Sequence, residues 1–498
     1  MNVNPITRLD YPDPDVIRVE DTYYMVSTTM HFMPGCEILQ SFDLVHWEHV
    51  TYVYETLDHT DAQQLKSGQN IYGQGMWAAS LRYHEGRFYI CFVANDTRKT
   101  YLYTSEKIDG PWKKQLIEGF YHDGSLLFDE DGRSYIVYGN DEIWITELNE
   151  DLTAPKKDGL HRLLVSDHKN PDLGYEGSHI QKINGYYYIF LVHSLRDRWM
   201  RTEACFYSDS LEGEFTGGDV LCDDRGYCGQ GVAQGGIVDT PDGKWYAMLF
   251  QDSGAVGRIP ILLPVTWKDH FPFFGQNGHV PEEIEVHSTR PGYIYQPLVG
   301  SDDFCNGLLP RWQFNHDPDP RYYHLDALQG TYTITTREVC TELTQAVNTL
   351  TQRMSYPSCA AEVTVDASAL KEGDVAGLCA LQGCYAAVGI TKHHGKYEVL
   401  MLDKKEDGIL DMTEGTVVES HQMDFRLEAD FCNMKDEARC YYRVNKGDWL
   451  PIGTVHKLYF KLDHFTGCRF GLFCYAAEET GGSACFRDFK YYDVDEIS

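Results

Sequence analysis

Residues 176–189, EGSHIQKINGYYYI, decide the fold: an acid stands nine positions before the glycine of an Asn-Gly turn, and aromatics follow the turn. Asn-Gly between short apolar runs is the signature of a tight β-hairpin. The same layout occurs in DPDVIRVEDTYYM from residue 13, WAASLRYHEGRFYI from 77, DGSLLFDEDGRSYIV from 123 and QGGIVDTPDGKWYAM from 234. The heads are Asp13, Trp77, Asp123, Glu176 and Gln234, spaced 64, 46, 53 and 58 residues apart, and the matching turn residues are Thr22, Gly86, Gly132, Gly185 and Gly243. Repeats of about 40–60 residues built from short strands read as propeller blades, whose equivalent positions converge at one end of a central axis.

Outward from the repeats, apolar runs stay short and long amphipathic helices are missing. The blade pattern fades in HVPEEIEVHSTRPGYIYQPLVG, residues 279–300, whose Pro and Gly read as a linker. Beyond Ser301, alternating runs such as TYTITT, AAEVTVD, YEVLMLD and FRLEADF read as the strands of a β-sandwich. The expected architecture is all-β, a five-bladed β-propeller over residues 1–295 followed by a β-sandwich over 301–498.

Bulk properties narrow the function. A net charge of −32 makes nucleic acid and anionic membranes poor partners. No stretch approaches the ~18 apolar residues that cross a bilayer. The opening MNVNPITRLDYPDPDV has no apolar run with a basic flank, so no signal peptide is expected. The 15 cysteines lack close C-x-x-C pairs, and several lie inside apolar strands. That pattern fits a reducing compartment and gives zinc little support, so a cytoplasmic location is expected.

Three of the five axial heads are carboxylic acids, the raw material of general acid–base hydrolysis. Asp13 stands between two prolines, which stiffen its segment; alone it would read as a Pro-Asp turn. Asp123 and Glu176 each precede Gly-Ser, which lets a ligand approach the backbone closely. Like charges meeting at one axis repel, so at least one of the acids should have a raised pKa, as a general acid at neutral pH requires. Trp77 reads equally as packing or as a stacking platform for a sugar face. Gln234 reads equally as structural or as a partner for a hydroxyl. Arg258, in GRIPILLPVTW just beyond the fifth repeat, would alone read as a surface residue, and its choice as the fixed cation rests mainly on the resemblance below.

Taken together, these motifs resemble glycoside hydrolase family 43, in its β-xylosidase/α-L-arabinofuranosidase branch. NPITRLDYPDPDVIRVEDTYYMVSTT, MWAASLRYHEGRFYI, DGSLLFDEDGRSYIVYG, EGSHIQKINGYYYIFLVHS and GRIPILLPVTW follow that family's order. WQFNHDPDPRYY, NTLTQRM, DVAGLCALQ and CRFGLFCYAAEETGG are similar to its C-terminal, concanavalin-like sandwich. The resemblance implies Asp13 as the base that activates water and Glu176 as the acid that protonates the leaving oxygen. It implies Asp123 as the group that raises the pKa of Glu176 and orients it. Arg258, Trp77, Phe32 and Gln234 would bind substrate. The family inverts configuration, which requires acid and base roughly 6.5–9.5 Å apart.

Departures from the family pattern bear on ligands. Many members carry a central His near the fifth blade that helps hold calcium or water. Gln234 stands there in this chain, which speaks against an axial calcium ion. In TTMHFMPGCE, Met30 and Met33 replace frequent aromatics, with Phe32 the retained ring. Cys485 and Arg487 stand where relatives often have acids, which weakens a calcium site in the sandwich.

The expected activity is an inverting exo-glycosidase releasing xylose from the non-reducing ends of β-1,4-xylo-oligosaccharides, without a required cofactor. α-L-Arabinofuranosidase action on arabinoxylan-derived oligosaccharides is the alternative. A non-catalytic glycan-binding propeller is a distant one, since none of the three acids is lost. A fructan hydrolase would show a WMNDPNG-like start and an FRDP motif, and both are missing. Self-association is left open.

Overall fold

The computed structural model describes residues 2–413, 415–461, 464 and 466–493. Five four-stranded antiparallel sheets make the propeller, each laid down in chain order from its innermost to its outermost strand. Their inner strands are Asp15–Val19, Met76–His84, Ser125–Phe128, Glu176–Ile183 and Ala233–Asp239. The only helical pieces among the described residues are four three-residue 3₁₀ turns.

Local sequence explains the hairpins. In the second and fourth blades, Glu85-Gly86 and Asn184-Gly185 both take positive φ, at 47° and 77° and at 51° and 84°. These two-residue turns match the right-handed twist of their strands. The third and fifth blades use the longer loops 129–133 and 240–244, in which Gly132 and Gly243 supply φ of 83° and 80°. The first blade corrects the sequence register: Val19 pairs with Thr22, so Glu20-Asp21 is the turn and Thr22 already belongs to the next strand.

Bulges shape the axial ends of three inner strands. Pairing skips between Met76 and Ala79, between Glu176 and His179 and between Ala233 and Gly236. An extra residue there bends the strand and re-aims its side chains. Asp13, Asp123 and Gln234 hold positive φ of 51°, 47° and 63°. Such conformations cost on the order of 1 kcal/mol each for residues with a Cβ, and they cluster where function fixes a side chain.

The ring is closed by its ends. Asn2–Val3 pairs with Glu283–Ile284, and the Asn4 amide donates to Leu262 O (2.7 Å) while accepting from Leu262 N (3.1 Å). One apolar cluster joins Tyr23 and Met25 of the first blade to Val238, Met248 and Leu262 of the fifth.

The sandwich packs a seven-stranded against a nine-stranded antiparallel sheet. Its ninth strand is not its own. Phe32–Met33, from the loop inside the first blade, pairs with Gln313–Asn315 at that sheet's edge. Ala255, Val256 and Ile259 of the fifth blade join the sandwich core. Asp10 accepts from Arg258 N (2.7 Å) and Gly467 N (2.8 Å), and Arg353 reaches Asp10 O and Glu37, both at 2.9 Å. The sandwich is thereby fastened against one axial mouth of the propeller.

Candidate active site

At that mouth lies a cavity of about 830 Å³, of a size for one or two sugar rings. Trp77, His122, Asn140, Glu176, Arg201 and Arg258 form its propeller wall, and Met434, Asp436, Phe460 and Lys461 close it from the sandwich.

One side is organised by arginine. Asp13 Oδ1 accepts from Arg258 Nη1 at 2.8 Å and its Oδ2 from Thr28 Oγ1 at 2.5 Å. Arg258 Nε donates to Asp252 Oδ1 at 3.2 Å, and Arg201 Nη1 donates to the other oxygen of Asp252. Both guanidiniums lie against the Phe250 ring, at 4.6 Å and 5.5 Å from its centroid. Burial and the neighbouring Arg258 draw the Arg201 pKa down to about 9, while Glu176 and Asp13 oppose the shift. Two buried cations thus share one carboxylate at the foot of the cavity.

The other side is organised by histidine. His122 Nε2 lies 3.5 Å from Asp123 Oδ2 and 3.5 Å from Glu176 Oε2. Asp123 Oδ2 also accepts from Gly177 N (2.9 Å), and Glu176 Oε2 from Asn140 Nδ2 (2.7 Å). Burial pushes the Asp123 pKa up to about 6; His122 opposes this, and the charges of Glu176 and Asp13 add to it. For Glu176 burial also acts upward, but the hydrogen bond and charge of His122, helped by Arg201 and Arg258, hold it below the ordinary carboxylate value. Burial alone would lower His122, yet Asp123, Glu176 and Asp13 outweigh it and raise it to about 9.

This is the equipment for cleaving a glycosidic bond: carboxylates on two sides of a closed cavity, with an aromatic wall. Residues 3–272 match the model of glycosyl hydrolases family 43. The chain belongs to glycoside hydrolase family 43. Residues 301–492 match the β-xylosidase C-terminal concanavalin A-like domain. A β-xylosidase of Formosa agariphila is 27% identical over 99% of this chain and 89% of its own. A non-reducing end α-L-arabinofuranosidase of Bacteroides ovatus is 26% identical over 66% of this chain and 63% of its own. Among solved structures, a bifunctional GH43-CE protein of Bacteroides eggerthii superposes with a TM-score of 0.92 at 42% identity. The match covers 100% of this chain and 64% of that one, so the present chain spans under two thirds of that relative.

This family 43 hydrolase brings together five of the residues singled out in its sequence. Glu176, Trp77 and Arg258 line the cavity, and Asp13 and Asp123 lie directly behind that lining, on Arg258 and His122. Gln234 is buried beneath them: its backbone N–H donates to Glu203 (2.7 Å), and its side chain packs where a Cβ on Gly177 would clash, 2.7 Å from its Cγ. It supports the strand end that carries Glu176 and does not line the cavity.

Phe32 is a correction. Pairing with the sandwich draws its segment into the seam, where the ring is 0% exposed and lies 3.5 Å beneath the Arg469 guanidinium. It cannot serve as a sugar platform there. Met30 and Met33 are buried with it. The expectation that Glu176 carries the raised pKa is also corrected, because His122 reverses the effect of burial on that residue.

Sequence reading missed His122, Arg201, Asp252 and the four sandwich residues. His122 directly precedes an axial acid and Asp252 ends a strand six residues before Arg258, so proximity to the motifs was a usable signal for both. Nothing local marks Arg201 or the sandwich contributors.

His122, Asp123 and Glu176 are also the one group of three potential metal ligands among the described residues. The donor set does not fit calcium, which takes 6–8 oxygen ligands.

Proposed function

We propose that this hydrolase removes single pentose units from the non-reducing ends of oligosaccharides with inversion, β-linked xylose being the leading substrate. The observation that carries the reading is the closed cavity, with Asp13 on the arginine side and Glu176 on the histidine side. Sandwich residues wall the cavity, which favours a chain end over a chain running through.

In a single displacement, Asp13 takes a proton from water as its oxygen attacks C1. The C1–O bond breaks and the leaving oxygen receives a proton by way of Glu176. Arg258 fixes the orientation of Asp13, and Trp77 offers a face to the sugar. No step requires a metal or cofactor. α-L-Arabinofuranose is the second reading, supported by the Bacteroides ovatus relative. A reducing, cytoplasmic setting is supported by the 15 free thiols.

The test is hydrolysis of aryl β-xyloside and aryl α-L-arabinofuranoside, with the anomer of the first-formed sugar read by NMR. Inverted product from wild type, and loss of turnover in Asp13→Asn and Glu176→Gln, are expected. Retained configuration would reject the single displacement, and near-normal turnover by Asp13→Asn would reject the base.

A further inference from the structure

His122 stands outside the five-position register, yet it is the residue in contact with both acid-side carboxylates. It precedes Asp123 in the segment entering the third blade, and its ring meets Trp77 edge-on, centroids 5.8 Å apart at 64°. Its Nε2 is buried and has no hydrogen-bond partner, the two carboxylates standing at ion-pair distance. A lone pair on that nitrogen would face two carboxylate oxygens at 3.5 Å, three acceptors together, so Nε2 must carry a proton.

The rest of the charge arrangement agrees. Arg201 and Arg258 are both engaged by Asp252, and Arg258 also by Asp13. On the acid side His122 is the basic group within ion-pair distance of both Asp123 and Glu176.

We propose that His122 is a positioning residue that holds the proton Glu176 delivers, so that His122 and Glu176 act as one acid. This rests on the hydrolytic reading above. As the C1–O bond breaks, one proton passes from the pair to the leaving oxygen through Glu176. The proton delivered is the Nε2–H proton of His122, passed on through the ionised Glu176 carboxylate, and the proton that Asp13 took from water returns through solvent to restore the imidazolium. No other reactant is consumed. Glu176 is held below its ordinary value in the free pocket while His122 is raised to about 9, as this division of labour requires. The charged groups facing the histidine are Asp13, Asp123 and Glu176, with Arg201, Arg258, Asp436 and Lys461 around the same cavity.

The experiment compares β-1,4-xylobiose, whose leaving group is poor, with an aryl β-xyloside bearing a good one; the arabinosyl counterparts serve if those are what wild type cleaves. For wild type, the alkaline limb of kcat/KM on the disaccharide should fall near pH 9, as the imidazolium is lost. In His122→Gln that limb should move to lower pH. Turnover of the disaccharide should drop about 100-fold, within the usual range for an acid–base contribution, and turnover of the aryl substrate less than about tenfold.

Equal losses on both substrates with an unmoved limb would overturn the proposal, leaving His122 a packing residue. If the variant does not fold, the wild-type limb decides: a midpoint below about pH 7 on the disaccharide overturns it, because a carboxyl group then sets the limb. Failure of wild type to cleave any pentoside is a separate result, which rejects the hydrolytic reading itself.

Discussion

Asp13 lies two residues before Asp15, which opens the first blade's inner strand, and the levels of the propeller axis they occupy behave in opposite ways. At the deeper level Asp15 accepts from Leu81 N (2.7 Å) and Arg82 Nη1 (2.8 Å), and its second oxygen meets His179 Nδ1 (3.0 Å). Arg82 continues to Ser125 Oγ (2.7 Å) and to the carbonyl groups of Leu126 (2.8 Å) and Ile180 (3.2 Å). Four blades are laced together there, and the charges are balanced within the protein. At the Asp13 level, Glu176, Arg201 and Arg258 line a cavity with room for a ligand. The same convergence of strands yields a brace where partners are complete and a reaction site where a ligand can be added.

Substitutions can separate the two levels. Asp13→Asn should lower kcat by on the order of 10⁴-fold, the upper end for a lost acid–base group, with thermal unfolding near that of wild type. Asp15→Asn should do the reverse. Leaving Arg82 buried beside a neutral group should cost about 3–5 kcal/mol in denaturant unfolding, while the folded fraction keeps its turnover. Large losses of both stability and activity in both variants would erase the distinction.

The two levels should also differ in acid. Burial opposes ionisation of Asp15, but Arg82 and His179 prevail and hold its pKa below the ordinary carboxylate value. Its contribution to stability is therefore present above about pH 3.9 and is lost as pH falls further. Asp123 is raised to about 6, so its contribution is present at low pH and is lost as pH rises through 6. Asp123→Asn should thus gain stability relative to wild type between about pH 4 and 6, whereas the relative cost of Asp15→Asn should shrink below pH 4. Urea midpoints across pH 3–8 check both signs.

A smaller effect is expected from Arg201→Lys, which retains charge but not the planar fork on Asp252. A loss of about ten- to hundredfold in kcat/KM, carried mainly by KM, would assign Arg201 to substrate binding. An unchanged KM would confine it to structural support. The smallest effect belongs to Asp436, the sandwich acid that accepts from Ala255 N (3.1 Å) and that burial raises to about 6. Asp436→Asn keeps the acceptor, so its melting temperature should rise relative to wild type as pH goes from about 4 to 6 and keep that gain above.

Much of the axis was legible because hairpin turns and axial heads are local patterns: Gly185 and Glu176 announce each other across one strand. The register failed by one residue in the first blade, where Glu20-Asp21 makes a turn without glycine. The carboxylates were visible as residue types, but the sign of the Glu176 shift was not, because it depends on a ring that folding inserts between two blades. Arg201 and Phe460 come to the cavity from segments with no shared motif. Phe32 misled for a related reason. An aromatic in a loop near an acid resembles a platform until the neighbouring sheet takes that loop as a strand.

That borrowed strand has an engineering consequence. Because Phe32–Met33 belongs by hydrogen bonding to the sandwich, a cut in the connector does not separate two self-sufficient modules. A propeller expressed alone would present an unpaired loop in its first blade, and a sandwich grafted elsewhere would carry a raw edge at Gln313–Asn315. Chimeras within this family should therefore exchange the first-blade loop together with the C-terminal half, as one unit of inheritance discontinuous in sequence.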